Sequence, residues 1–158
     1  MFPPALLAEA EALLARCRAQ KLMLATAESC TGGLIAGLLT EIPGSSDVVE
    51  RGYVTYSNAA KTEALGVAAA LIDEHGAVSR QVAIAMARGA LLNSKADISI
   101  AVTGVAGPGG GSVEKPIGLV HIAAQRRGHA VIHRECQFGD LGRTGIRQAT
   151  LVEALHLI

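Results

Sequence analysis

The sequence predicts an α/β protein, a three-layer α/β/α sandwich built around a mixed β-sheet. Three observations predict it. Short apolar runs of strand length alternate with amphipathic segments of helical period over the first two thirds of the chain. After these, two strand-like runs are separated by Arg126-Arg127-Gly128, a hairpin signal, so crossover and antiparallel connections share one sheet. Half of the 158 residues are hydrophobic but only 3% are aromatic, so small and aliphatic side chains must form the layers and allow them to pack closely.

Each element has its own reason. Residues 4–20 place Ala5, Leu6, Leu7, Leu13, Leu14 and Cys17 among Glu and Arg, an amphipathic helix. Residues 21–27, KLMLATA, suit a buried strand. Thr31-Gly32-Gly33 opens a helix over 34–41, and Pro43-Gly44-Ser45-Ser46 is a turn. Residues 48–57, VVERGYVTYS, are rich in β-branched side chains and Tyr and read as a strand. Asn58 is placed to cap a short helix over 59–65, and a second short helix covers 68–75. Ser79 caps a long alanine-rich helix over 81–93. Residues 97–103, DISIAVT, read as a fully buried strand. The glycine-rich segment 104–112 follows, then strands over 117–125 and 130–137, and a closing helix over 143–156. No repeat or linker interrupts the chain, and the expectation is one domain over 1–158.

Composition narrows the function. Lys and Arg number 14, as do Asp and Glu. A neutral chain lacks the broad basic field that duplex nucleic acid or an anionic membrane requires. With no Trp, there is neither a base-stacking platform nor an aromatic membrane belt. The N-terminus has no positive n-region, and no apolar run approaches the roughly 20 residues that span a bilayer. Cys17, Cys30 and Cys136 are scattered, which fits reduced thiols and a cytoplasmic location. The five His show no metal-ligand spacing. His129 and His133 fall on one strand face, roughly 13 Å apart at about 3.3 Å per residue. No metal or cofactor is expected.

Three polar clusters sit where strands end. In the first, Glu28-Ser29-Cys30-Thr31-Gly32-Gly33 leaves a buried strand and enters a helix. A serine there has unpaired N–H groups beside it, those of Cys30 to Gly32, able to hold an oxyanion. The two glycines let a substrate approach the backbone. The plainer reading is that Ser29 or Thr31 only caps the helix. Cys30 is a tempting nucleophile, but no His is near it in sequence, and a small buried role fits it better. In the second, Tyr56 ends a strand and Lys61 falls one turn into the next helix. A buried Lys can act as a general base, and a Tyr hydroxyl can relay a proton; taken alone, Lys61 also fits a solvated surface. In the third, Thr103, Gly104 and Gly107 belong to a loop that resembles a phosphate loop in composition. It has no Lys-Ser/Thr and does not open a helix, so it is neither a Walker A loop nor a Rossmann fingerprint. Its serial N–H groups still form a nest for an anion. Arg143 and Arg147 share one face of the last helix and suit a phosphate, though from the residues alone a salt-bridged surface is the better reading.

These strings together resemble one family. A-E-S-C-T-G-G at 27–33, P-G-S-S at 43–46, G-Y-V-T-Y-S-N-x-x-K at 52–61, G-A-V-S at 76–79, A-V-T-G-V-A-G-P-G-G-G-S-x-E-K-P-I-G at 101–118 and R-x-x-I-R at 143–147 are similar to the CinA C-terminal domain family. The likeness runs from about residue 20 to the end. Members occur fused behind another domain or alone, and the length of this chain fits the stand-alone form. The resemblance implies an amidase that converts nicotinamide mononucleotide to nicotinic acid mononucleotide and ammonia, by chemistry similar to that of Ser/Lys hydrolases. It implies Ser29 as nucleophile, Lys61 as base and Tyr56 as assistant, with N–H groups of the Cys30–Gly33 turn holding the oxyanion. The phosphate of a small nucleotide substrate would lie against Thr103, Gly104 and Gly107, near Arg147, or both. The family commonly has G-D-R before the closing arginine. Here Gly139-Asp140-Leu141-Gly142-Arg143 reads as though two residues were inserted, which favours Arg147 over Arg143. A homodimer or higher homo-oligomer is expected. The competing reading is a non-catalytic nucleotide-binding or regulatory module, tied to the competence and DNA-damage naming of the family.

Overall fold

The computed structural model describes residues 1–158. The elements run α1 (Pro4–Ala19), β1 (Leu24–Glu28), α2 (Leu34–Thr40), β2 (Val49–Val54), α3 (Asn58–Leu65), α4 (Ala69–His75), α5 (Arg80–Leu92), β3 (Ile98–Gly104), β4 (Leu119–Arg126), β5 (Ile132–Gln137) and α6 (Gly142–Leu157), with one 3-10 turn at Ser45–Asp47. The strands form one sheet in the order β2-β1-β3-β4-β5. β2, β1 and β3 are parallel, whereas β4 and β5 are antiparallel to their neighbours. This is the mixed-sheet α/β sandwich that the sequence predicts.

Alternation along the strands explains the two outer layers. Leu24, Ile98, Ile100, Val102, Val120 and Ile122 point to one face and pack with α1, α2 and α6. Ala25, Ala27, Ala101 and Ala123 point to the other and pack with α3, α4 and α5. The alanine face lets α5 lie close to the sheet. There Ser99 Oγ donates to the Ala87 carbonyl at 2.8 Å. α3 in turn crosses α5 at Gly89, where a Cβ would overlap the Leu65 carbonyl oxygen. This close crossing fixes the height at which α3 sits.

Three local expectations change. β2 stops at Val54 rather than running to Ser57, because the chain bends there to start α3. Ser57, not Asn58, caps α3: it is extended, and its side chain accepts from the Ala60 N–H. β5 starts at Ile132, so His129 lies in the hairpin turn and shares no strand face with His133. His133 instead stacks on His121 of β4, with Nε2 and Nδ1 3.0 Å apart.

The topology creates one crevice suited to a site. β1 and β2 are adjacent and parallel, yet α2 after β1 and α3 after β2 pack on opposite faces. At such a switch point the carboxyl ends of the strands are left uncovered.

Candidate active site

Ser29 follows the last residue of β1, and its N–H donates to the Val102 carbonyl of β3. Lys61 comes from α3 and reaches back under the strand ends. Its Nζ lies 3.0 Å from Ser29 Oγ and donates to the Thr55 carbonyl at 2.8 Å. The early end of β2 is what frees that carbonyl. Lys61 is only 1% exposed, and no carboxylate pairs with it. Burial therefore pushes its pKa below the ordinary lysine value. A neutral amine has one lone pair to accept the Ser29 proton while an N–H still donates to Thr55.

The turn after Ser29 is held from inside. Glu28 is fully buried. Its carboxylate accepts from Thr31 Oγ1 at 2.7 Å and from the N–H groups of Gly33 at 3.1 Å, Ile35 at 3.0 Å and Ala36 at 2.8 Å. Gly32 and Gly33 have φ of +59° and +94°, values that glycine adopts without strain. The Gly32 N–H donates to the Ser29 carbonyl. Gly32 and Gly33 thus leave the expected set of oxyanion donors, because both N–H groups already have acceptors. Only the Cys30 and Thr31 N–H groups of the turn have no protein acceptor. The Cys30 side chain is buried in the core, and its thiol is pushed up to about 12, chiefly by burial. A thiol so disposed is no nucleophile at neutral pH.

A cleft of about 270 Å³ opens beside this turn, lined by Ser29, Cys30, Tyr56, Gly104, Gly107 and Arg143 among others. Tyr56 is 59% exposed. Arg143 donates to its hydroxyl at 2.7 Å and to the Gly107 carbonyl at 2.9 Å, so it straps the end of β2 to the glycine-rich loop. Tyr56 makes no hydrogen bond to Ser29 or Lys61, and the expected relay has no direct path. Thr103 is buried, and its hydroxyl donates to the Ala77 carbonyl. It is turned to the α5 layer and does not line the cleft. Arg147 also lies outside the cleft lining. It donates to the Thr31 carbonyl at 2.9 Å, and its Nε is buried without a partner. The preference for Arg147 over Arg143 is therefore reversed for the cleft: α6 starts at Gly142, which puts Arg143 in its first turn at the cleft mouth.

The sequence reading missed two contributors. Glu28 stood in the first polar cluster, but an acid three residues before Thr31 reverses the order of a capping box and so carried no capping signal. The Thr55 carbonyl carried none, since a backbone group leaves no trace in sequence. Elsewhere, a cavity of about 310 Å³ at the opposite end of the sheet holds Cys17, whose thiol burial also pushes up. No three His, Cys, Asp or Glu side chains come together as a metal-ligand set. No helix is long and apolar enough to cross a membrane.

Comparison with known proteins places the chain in a family. The nicotinamide-nucleotide amidohydrolase PncC of Escherichia coli K12 is 46% identical over 142 residues, covering 89% of this chain and 85% of that protein. A CinA-like protein of Colwellia psychrerythraea is 59% identical over 114 residues, covering 72% of this chain but only 26% of the relative. The chain spans a third or less of the length of several such curated relatives. The crystal structure of competence/damage inducible protein CihA from Agrobacterium tumefaciens superposes with a TM-score of 0.97 at 54% identity, covering 99% of this chain and 94% of that one. The family model for the CinA C-terminal domain matches residues 7–158, a span that holds the serine turn, the buried lysine and the glycine-rich loop, and the chain belongs to that family.

Proposed function

We propose that this protein is an amidohydrolase that deamidates nicotinamide mononucleotide through a Ser29 acyl-enzyme. The observation that carries the reading is the uncharged environment of Lys61 directly against Ser29. Lys61 takes the Ser29 proton as Oγ attacks the carboxamide carbon. The oxyanion that forms accepts from the Cys30 and Thr31 N–H groups. The tetrahedral adduct collapses, and the leaving amine takes the proton from Lys61 and departs as ammonia. Water, deprotonated by Lys61, then attacks the Ser29 ester; the adduct collapses, Ser29 Oγ takes that proton back from Lys61, and the acid leaves, giving its own proton to water as it ionises to the carboxylate. Every proton in this sequence is carried by groups of this chain or by water.

The strap of Tyr56, Arg143 and Gly107 supports a role in binding the nucleotide. A guanidinium beside glycine N–H groups is suited to a phosphate. The E. coli relative named for this activity supports the choice of substrate, and the reading puts the reaction in pyridine nucleotide recycling. A cytoplasmic homo-oligomer without nucleic acid or membrane partners completes the reading, and exposed Val54 and Leu141 offer apolar surface for assembly. A binding module without turnover has no use for a desolvated lysine on a serine, and that alternative is set aside.

The test is ammonia release from nicotinamide mononucleotide by the pure protein, compared with nicotinamide riboside and free nicotinamide. Ser29→Ala is expected to lose the activity by a factor on the order of 10³ or more while keeping its fold. Full activity in Ser29→Ala would rule out the covalent route.

A further inference from the structure

The acid next to the nucleophile has a task that a helix cap alone does not require. Glu28 sends one oxygen to three donors, Thr31 Oγ1 and the Gly33 and Ile35 N–H groups, and the other to Ala36. The last bond is 2.8 Å long. These contacts run from Thr31 and Gly33 in the turn to Ile35 and Ala36 in the first turn of α2, and Glu28 itself is fully buried. Charge-assisted bonds of this kind are roughly twice as strong as neutral ones.

The turn is also fixed from outside. The Ser29 carbonyl accepts from Gly32 N–H. In a trans peptide the N–H points opposite to the C=O, so this bond aims the Cys30 N–H away from Gly32. Arg147 holds the Thr31 carbonyl at 2.9 Å. Glu28 holds the Thr31 hydroxyl. Between these anchors, the two N–H groups left without protein acceptors belong to Cys30 and Thr31, the residues that follow Ser29 in the chain.

We propose that Glu28 is a positioning residue for the hydrolysis: its buried carboxylate sets the peptide planes of the Ser29–Thr31 turn so that the Cys30 and Thr31 N–H groups converge on the oxyanion. The inference rests on the acyl-enzyme reading above. Glu28 touches no reacting atom; it acts through the turn. Gln in its place keeps the shape but must turn an amide N–H₂ toward either Ala36 N–H or the three donors on the other side. Either Ala36 in α2 or the Thr31, Gly33 and Ile35 donors then meet a donor instead of an acceptor, and the turn shifts against the helix.

Three readouts test this on the full chain, with wild type, Glu28→Gln, Glu28→Ala and Ser29→Ala. Release of p-nitrophenolate from p-nitrophenyl acetate measures acylation of Ser29 independently of the natural amide, with Ser29→Ala as background. Steady-state turnover of nicotinamide mononucleotide separates kcat from KM. The thioamide analogue of the same nucleotide reports on the oxyanion donors, because sulfur is larger and a poorer acceptor. Glu28→Gln is expected to keep KM within about twofold and to lower both kcat and acylation by roughly 10–100-fold, a part of what losing one oxyanion donor costs. It is also expected to bring the amide-to-thioamide rate ratio toward one. If Glu28→Gln lowers only the melting temperature and leaves kcat per folded molecule and the rate ratio unchanged, Glu28 merely caps α2 and the proposal fails. Should Glu28→Ala not fold, Glu28→Gln decides alone. A wild type that acylates Ser29 but releases no ammonia from the nucleotide overturns the substrate reading, and a slower acylation in Glu28→Gln then still supports the positioning role. Absence of Ser29-dependent acylation in the wild type overturns both.

Discussion

Lys61 Nζ lies 3.0 Å from Ser29 Oγ although 32 residues separate them in sequence. Two strand ends bring them together. Ser29 leaves β1 on one face of the sheet, and Lys61 returns from α3 on the other, under the ends of both strands. The lysine is buried without a counter-charge, so its chemistry depends on its protonation.

The rate is therefore expected to rise with pH as Lys61 loses its proton. Its pKa is depressed by burial, so the midpoint of that limb in kcat/KM falls below 10.5, the ordinary lysine value. The same depression has a stability consequence. The unfolded chain binds the lysine proton more tightly, so folding stability rises with pH between the depressed value and the ordinary one. Lys61→Met is expected to abolish activity and the limb while melting no lower than wild type at neutral pH, because it removes a desolvated amine. A pH–rate profile and thermal melts on the two proteins check both.

Cys30 adjoins the nucleophile but sits in the core with its thiol pushed up to about 12. Cys30→Ala is expected to keep the ammonia-releasing activity and to lose roughly 1 kcal/mol of stability for the small cavity. Iodoacetamide at neutral pH is expected to leave Cys30 unmodified in the folded protein, as read by mass spectrometry. Rapid alkylation with matching loss of activity would contradict the burial argument.

The two arginines of α6 are expected to separate by kinetics. Arg143 lines the cleft and bonds Tyr56 and Gly107, so Arg143→Ala should raise KM for the nucleotide about tenfold, the loss of roughly 1.4 kcal/mol of binding. It should change KM for a substrate without phosphate much less. Tyr56→Phe removes the acceptor of that strap and should follow Arg143→Ala in direction. Arg147 holds the Thr31 carbonyl, so Arg147→Ala should lower kcat more than it raises KM. Steady-state kinetics on the three variants decides.

Gly89→Ala tests how the lysine is delivered. The added methyl meets the Leu65 carbonyl where α3 crosses α5. Neither backbone can yield without moving the helix that carries Lys61. The variant is expected to lose about 3 kcal/mol of stability, seen as a lower denaturant midpoint, and to lose activity in its remaining folded fraction.

Much of the fold was legible in the sequence because periodicity is local. The β-branched runs, the alanine-rich period of α5 and the Ser79 cap, whose side chain accepts from Val82 N–H, each reflect neighbours within a few residues. The boundaries that failed were those set by distant partners. β2 ends three residues early where the chain bends into α3, which packs on the α5 layer through Leu65, and His133 belongs with His121 through strand pairing rather than with His129.

The sequence by itself determined the sandwich and the flanking loops, since residue types and their spacing encode these, and its resemblance to a known family singled out Ser29 and Lys61. Only the tertiary structure decided which groups act together. It selected Arg143 over Arg147 for the cleft, moved Thr103 to the α5 layer, tied Tyr56 to Arg143, and committed Gly32 and Gly33 to structural bonds. The reason is physical. A hydrogen-bond donor serves one acceptor at a time, and which acceptor lies within 3 Å is settled by how strands and helices pack, not by distance along the chain.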